Sequence, residues 1–135
     1  MDIDTAVGFM RTNHRAVLAT NRRDGSVQLT PVAVGVIDDA PVVSSRETAF
    51  KTKHLLRDPR ASLCVMTDGF YGEWIYVDAT CEVVHLPDAM ELLVEYFRQV
   101  SGEHPDWDEY RAAMTRDQRV ILKFTIVKAG PDRHG

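Results

Sequence analysis

Lys51, Lys53, His54, Arg57 and Arg60 fall within ten consecutive residues, and this is the densest group of cationic side chains in the chain. Ammonium and guanidinium donors make charge-assisted hydrogen bonds to phosphate and carboxylate oxygens, so the chemistry such a group suits is the holding of an anion. Lys51, His54 and Arg57 recur at every third position. A short helix beginning near Glu47 or Thr48 is expected to direct all three to one side and to turn Leu55 and Leu56 toward a core. Pro59 ends that helix, because the residue before a proline is steered out of helical backbone. Two readings stay open on these residues alone: a cationic face turned to water, or an anion site.

Further polar and aromatic side chains lie on strand-like segments nearby. Gln28 and Thr30 are two apart and so share a strand face, while Pro31 removes a ladder donor and points to an edge or a bulge. Ser44 and Ser45 end a strand just before the cationic segment, where a hydroxyl either caps the helix or binds the same anion. Trp74 and Tyr76 share a face of another strand and suit either the cover of a planar ring or the packing of a core or subunit interface.

The chain carries 16 Lys plus Arg against 20 Asp plus Glu, a net charge of -4. Nucleic-acid surfaces are basic overall or along a stripe, so a small anionic ligand suits this chain better than a nucleic acid. No apolar run approaches the roughly 20 residues that span a bilayer, and the opening Met1-Asp2-Ile3-Asp4 lacks a signal-peptide pattern; a cytoplasmic address with no membrane partner is the expectation. Cys64 and Cys81 sit in apolar runs without a CxxC spacing and read as buried free thiols. The five histidines are scattered, so no metal site is expected. The chain shows no GxSxG, HExxH, P-loop or GxGxxG pattern, and if it is an enzyme, a bound cofactor carries the chemistry.

The elements that position these residues follow from periodicity. Ile3, Val7 and Met10 predict an amphipathic helix over residues 2–13. Arg15 to Thr20 and Ser26 to Ile37 read as strands joined through Asp24-Gly25, and Asp38-Asp39 turns into a third strand, Pro41 to Ser44. After the cationic helix come strands at Ala61 to Met66 and Glu73 to His85, helices at Pro87 to Val100 and Pro105 to Met114, and a closing strand from Arg119 to Lys128. About six strands joined mostly by hairpins, with helices inserted at three places, indicate a mainly β, antiparallel sheet or barrel with peripheral helices. Residues 1–129 read as one domain and 130–135 as a loose tail.

Three segments together resemble a known family: Asp24-Gly25-Ser26-Val27-Gln28-Leu29-Thr30-Pro31-Val32, Lys51-Thr52-Lys53-His54-Leu55-Leu56-Arg57-Asp58-Pro59-Arg60-Ala61-Ser62, and Trp74-Ile75-Tyr76. They are similar to the pyridoxamine 5'-phosphate oxidase-like split barrels that bind FMN, and more narrowly to the actinobacterial branch that uses the deazaflavin coenzyme F-420. Gly102 to Arg111 and Arg119-Val120-Ile121-Leu122 extend the similarity almost to the C-terminus. The resemblance implies a homodimer of split β-barrels with the cofactor at the subunit interface. Lys51 would contact the anionic part of the cofactor with Ser44, and Ser45 beside it, while Gln28, Thr30 and Pro31 would border the ring system, with His54 and Trp74 nearby and Tyr76 a candidate proton donor. Thr30, Pro31 and His54 depart from the serine and asparagines common among relatives. The activity implied is an F-420-dependent reduction of a small conjugated or quinone-like acceptor. The alternatives are an FMN-binding oxidase or reductase of the same fold, and a noncatalytic protein that stores or senses a flavin or deazaflavin.

Overall fold

The computed structural model describes residues 1–69 and 71–132. Helix α1 (Ile3–Thr12) starts on Asp2, whose carboxylate accepts the Thr5 N–H at 2.7 Å and so satisfies one of the free donors of the first turn. Its buried stripe, Ala6, Val7 and Met10, is the face that the helical spacing predicts. Strands β1 (Arg15–Asn21) and β2 (Val27–Ala33) form a hairpin in full register from Arg15 opposite Ala33 to Asn21 opposite Val27. Gly25 takes φ 85° in its turn, which glycine does without steric cost.

The expected strand from Ser26 to Ile37 is two strands. It breaks at Val34, whose N–H turns to the His14 carbonyl at 2.8 Å, and the chain resumes as β3 (Gly35–Ile37) against β4 (Ala40–Arg46). Asp38 and Asp39 between them have φ of 52° and 59°, the left-handed pair that a two-residue hairpin of matching twist requires. The remaining elements are α2 (Phe50–Arg57), β5 (Arg60–Met66), β6 (Trp74–Val84), α3 (Met90–Ser101), α4 (Trp107–Arg116) and β7 (Arg119–Gly130).

The strands make one seven-stranded sheet in the order β2-β1-β5-β6-β7-β4-β3, antiparallel at every junction. The two edge strands, β2 and β3, are consecutive in the chain, so the sheet must curl for Val34 to join them, and the result is an open half-barrel. The Tyr96 hydroxyl of α3 stitches the seam. It donates to the Ala33 carbonyl at 2.8 Å, tying α3 to the end of β2. Inside the curl, Leu18, Leu63, Val65, Val77, Leu122 and Phe124 pack with the stripe of α1 and with Leu55 of α2. A smaller cluster lies on the outer face, where Leu93, Val94 and Tyr110 of α3 and α4 cover Val42 of β4 and Ile121 of β7.

Gly130 still belongs to β7, where it faces Tyr76, and the Asp132 carboxylate pairs with the N-terminal amine; the rest of the segment read as a tail, residues 133–135, lies outside the described residues. No helix among the described residues is long and apolar enough to cross a membrane. Cys64 and Cys81 are free and half-buried, and burial pushes the Cys81 thiol up to about 12.

Candidate cofactor-binding site

Helix α2 is oriented by its buried side. Leu55 and Thr52 face the sheet, and the Thr52 hydroxyl is 2.7 Å from that of Ser45, both fully buried. Ser45 therefore holds the helix against β4 and does not cap α2. The helix begins at Phe50, later than Glu47 or Thr48, and Ala49 at its N-cap offers no side-chain hydrogen bond.

Successive helical residues turn by about 100°, which decides the grouping of the cations. Phe50, Lys53, His54 and Arg57 share one side of α2, while Lys51 is turned away by more than a quarter turn from this group's centre. With Gln28 of β2 and Arg22, Arg23 and Asp24 of the β1–β2 turn, the first group lines a cleft of about 700 Å³. The sequence expectation that Lys51, His54 and Arg57 face together is thus corrected: His54 and Arg57 are joined by Lys53, and Lys51 stands on the other flank. There Lys51 is half-buried, and its burial with the neighbouring Arg119 and Arg46 holds its ammonium below the usual lysine range.

The cleft carries four cations against one carboxylate. Asp24 is already engaged, accepting from the Ser26 N–H at 2.9 Å and its hydroxyl at 2.6 Å. Arg57 donates to the Asn21 carbonyl and Arg22 to the Val27 carbonyl, so both are held in place while keeping other donors. Among the described residues none of Arg22, Arg23, Lys53 or Arg57 forms an ion pair. Arg60 is different. Its guanidinium forks onto Asp58 at 3.0 and 2.8 Å, which occupies it and holds the Asp58 carboxyl well below the usual range.

His54 lies at the floor of the cleft, 8% exposed, with Nδ1 3.0 Å from the Thr20 hydroxyl. Burial lowers its pKa, and Arg57 and Arg22 lower it further, so the imidazole is neutral at neutral pH. Phe50, 70% exposed, stacks over it with ring centroids 6.4 Å apart, and the Lys53 ammonium lies 5.8 Å from the Phe50 ring. Gln28 and Thr30 face the same inner side of the sheet, opposite Thr20 and Leu18, and the Gln28 amide donates to the Thr30 hydroxyl at 3.3 Å.

The other sequence candidates lie elsewhere. Pro31 is exposed on edge strand β2, opposite Val17 and facing outward. Trp74 and Tyr76 also face outward, opposite Met66 and Cys64, so within one chain they stand across the sheet from the cleft. Ser44 faces outward beneath α3 and α4. One chain therefore brings Gln28, Thr30 and His54 to the cationic cleft and leaves Ser44, Ser45, Lys51, Pro31, Trp74 and Tyr76 away from it. Sequence reasoning counted Lys53 among the cations of the anion-holding segment without assigning it a contact, and it passed over Arg22, Arg23 and Phe50, which line the same cleft. Their signal was present in the Arg-Arg doublet of the turn and in Phe50, Lys53 and Arg57 at helical spacing.

Residues 3–130 match the pyridoxamine 5'-phosphate oxidase family. The chain belongs to that family. Its members are oxidoreductases that bind flavin-type cofactors. Similar solved structures include a conserved hypothetical protein from Mycobacterium tuberculosis, 22% identical with TM-score 0.79, the match covering 96% of this chain and 82% of that one. A protein described as an F420 reductase is 17% identical with TM-score 0.72, covering 91% of this chain and 94% of the other. A putative pyridoxamine 5'-phosphate oxidase from Listeria innocua is 12% identical with TM-score 0.70, covering 95% of each chain. At these identities the three structures establish the shared fold.

Proposed function

We propose that this chain is a coenzyme F-420-dependent oxidoreductase that reduces a small conjugated or quinone-like acceptor. The observation that carries the proposal is the cleft of Arg22, Arg23, Lys53 and Arg57, four cations with no ion-pair partner among the described residues, opening beside Phe50, His54 and the inner face of β2. When bound, the deazaflavin would supply the hydride; the protein's contribution is to hold ring and acceptor in near-attack geometry.

In this reading Lys53, Arg57, Arg22 and Arg23 bind the phosphate and carboxylate groups of the tail, with Lys51 a second anion contact at the start of α2. Gln28, Thr30 and His54 border the ring from the inner face, and Pro31 borders it through its backbone. His54 is kept neutral and oriented by Thr20, so it offers a fixed hydrogen-bonding edge and no competing positive charge. Val27, Leu29, Trp74 and Val127 are exposed on the outer side of the sheet. Covering them in a homodimer would place Trp74 and Tyr76 of one protomer at the seam, where the Tyr76 phenol serves as proton donor to the reduced acceptor. Ser44 and Ser45 then support the site through β4. The resemblance to a protein described as an F420 reductase supports the choice of cofactor.

Titration with oxidised F-420 and with FMN, followed by turnover with the reduced forms across a panel of quinones and conjugated acceptors, tests the proposal. F-420 binding with acceptor-dependent oxidation supports it. Tight F-420 binding with no oxidation across the panel would make the protein a carrier or sensor, and oxygen-dependent turnover with FMN alone would make it a flavin oxidase.

A further inference from the structure

The α3–α4 hairpin does not close fully on the sheet. Between it and the ends of β4 and β7 lies a second cavity of about 490 Å³, walled by Phe97, Tyr110 and Met114, with Ser44 and Arg119 on the strands at its base. Arg46 pairs with Arg119 and Ser44 with Ile121, so the Ser44 and Arg119 side chains are diagonal neighbours on the outer sheet face, away from the α2 cleft.

Two features distinguish this cavity from a packing gap. The Arg119 Nε is buried and has no hydrogen-bond partner, and among the described residues Arg119 forms no ion pair. A buried guanidinium donor without an acceptor carries a desolvation cost that an incoming oxygen would remove. The remaining polar groups are already committed or point outward. Tyr96 donates to the Ala33 carbonyl at 2.8 Å, the Tyr110 hydroxyl to the Leu93 carbonyl at 2.8 Å, and Glu109 pairs with Arg116 at 3.4 Å. His104 Nδ1 accepts the Asp106 N–H at 2.9 Å, which leaves the opposite ring nitrogen as its donor, and its ring lies 5.2 Å from Phe97 and 5.5 Å from Tyr110.

We propose that this cavity binds a small aromatic carboxylate, with the acid group on Arg119 and the Ser44 hydroxyl and the ring against Phe97, Tyr110 and Met114. One guanidinium and one hydroxyl suit a monoanion, and aromatic walls suit a flat apolar body; a phosphate dianion would leave most of its oxygens facing those walls. The volume falls within the range of small-molecule sites, about 300–1,000 Å³. The cavity lies on the opposite sheet face from the α2 cleft, and because Arg119 neighbours Lys51, the second anion contact of the proposed function, the test uses the chain without cofactor and a variant, Ala113→Phe, that leaves Lys51 unaltered.

The test is an NMR titration of the full chain with benzoate, its neutral isostere benzamide and inorganic phosphate, observing the Arg119 Nε–H resonance. Benzoate is expected to shift that resonance saturably, and benzamide and phosphate are not. Arg119→Gln should weaken benzoate binding by roughly tenfold to a hundredfold, the loss of a charge-assisted pair. Ala113→Phe, which fills the cavity and leaves Arg119 in place, should abolish binding while the rest of the spectrum stays folded. Equal binding of benzoate and benzamide, benzoate binding that Ala113→Phe leaves intact, benzoate shifts confined to Gln28 and His54, or no saturation at millimolar benzoate would each overturn the proposal.

Discussion

Replacing Lys53 by alanine asks which flank of α2 holds the anion. Among the described residues Lys53 forms no ion pair, and it lies 5.8 Å from the exposed Phe50 ring, a cation–π contact of about 0.5–1 kcal/mol at such a site. Its loss is offset by reduced repulsion from Arg22, Arg23 and Arg57, so Lys53→Ala should leave the melting temperature nearly unchanged. With the cofactor bound, the same ammonium makes a charge-assisted hydrogen bond worth about 1.5–3 kcal/mol. The expected rise in Kd for F-420 is therefore roughly tenfold to a hundredfold. Arg60→Ala is the control, since Arg60 is already forked onto Asp58, and should shift Kd little. Binding is read from the deazaflavin absorbance or fluorescence at two salt concentrations, because the electrostatic part of the loss shrinks as screening rises. An unchanged Kd for Lys53→Ala beside a large loss for Lys51→Ala would move the anion to the other flank of the helix. No effect from either variant would return α2 to a cationic face turned to water.

Three further outcomes are expected. The lowered His54 pKa means that the unfolded chain takes up a proton before the folded one, so stability should fall as pH drops below about 6.5 toward the folded value; His54→Gln should flatten that slope in denaturant melts, and an unaltered slope would show that His54 does not set it. A Cβ at Gly130 would stand 2.6 Å from the Tyr76 ring, so Gly130→Ala should displace that ring at a cost of about 1–3 kcal/mol and lower kcat with little change in F-420 affinity; unchanged turnover would remove Tyr76 as proton donor. Leu29→Glu, on the exposed outer face at 66% accessibility, should dissociate the proposed homodimer in sedimentation at micromolar concentration, and a chain already monomeric before mutation would refute the dimer.

Local pattern made much of the fold legible. The stripe of α1, the Asp-Gly and Asp-Asp turns, the stop at Pro59 and the strand identities follow from spacing and turn chemistry, which act over a few residues. The break at Val34 did not, because it depends on a carbonyl of His14 that only the curled sheet brings near. The same holds for the cations of α2. Spacing put Lys51, His54 and Arg57 on one helix, but which side faces the sheet is decided by Leu55, Thr52 and the buried hydroxyl of Ser45, a packing of the helix on β4 that helical spacing does not encode. Arg22 and Arg23 joined the site only because the β1–β2 turn folds over that helix. Trp74 and Tyr76 were legible as a pair on one strand, yet the face they occupy depends on the register with β5.

The most direct test of the central claim is the absorbance and mass of whatever small molecule accompanies the chain through purification from a host that makes both F-420 and FMN, compared between the unaltered protein and Lys53→Ala. F-420 is expected on the unaltered protein, and its loss or a large reduction is expected from the variant. FMN in place of F-420, or equal F-420 on both proteins, would contradict the claim.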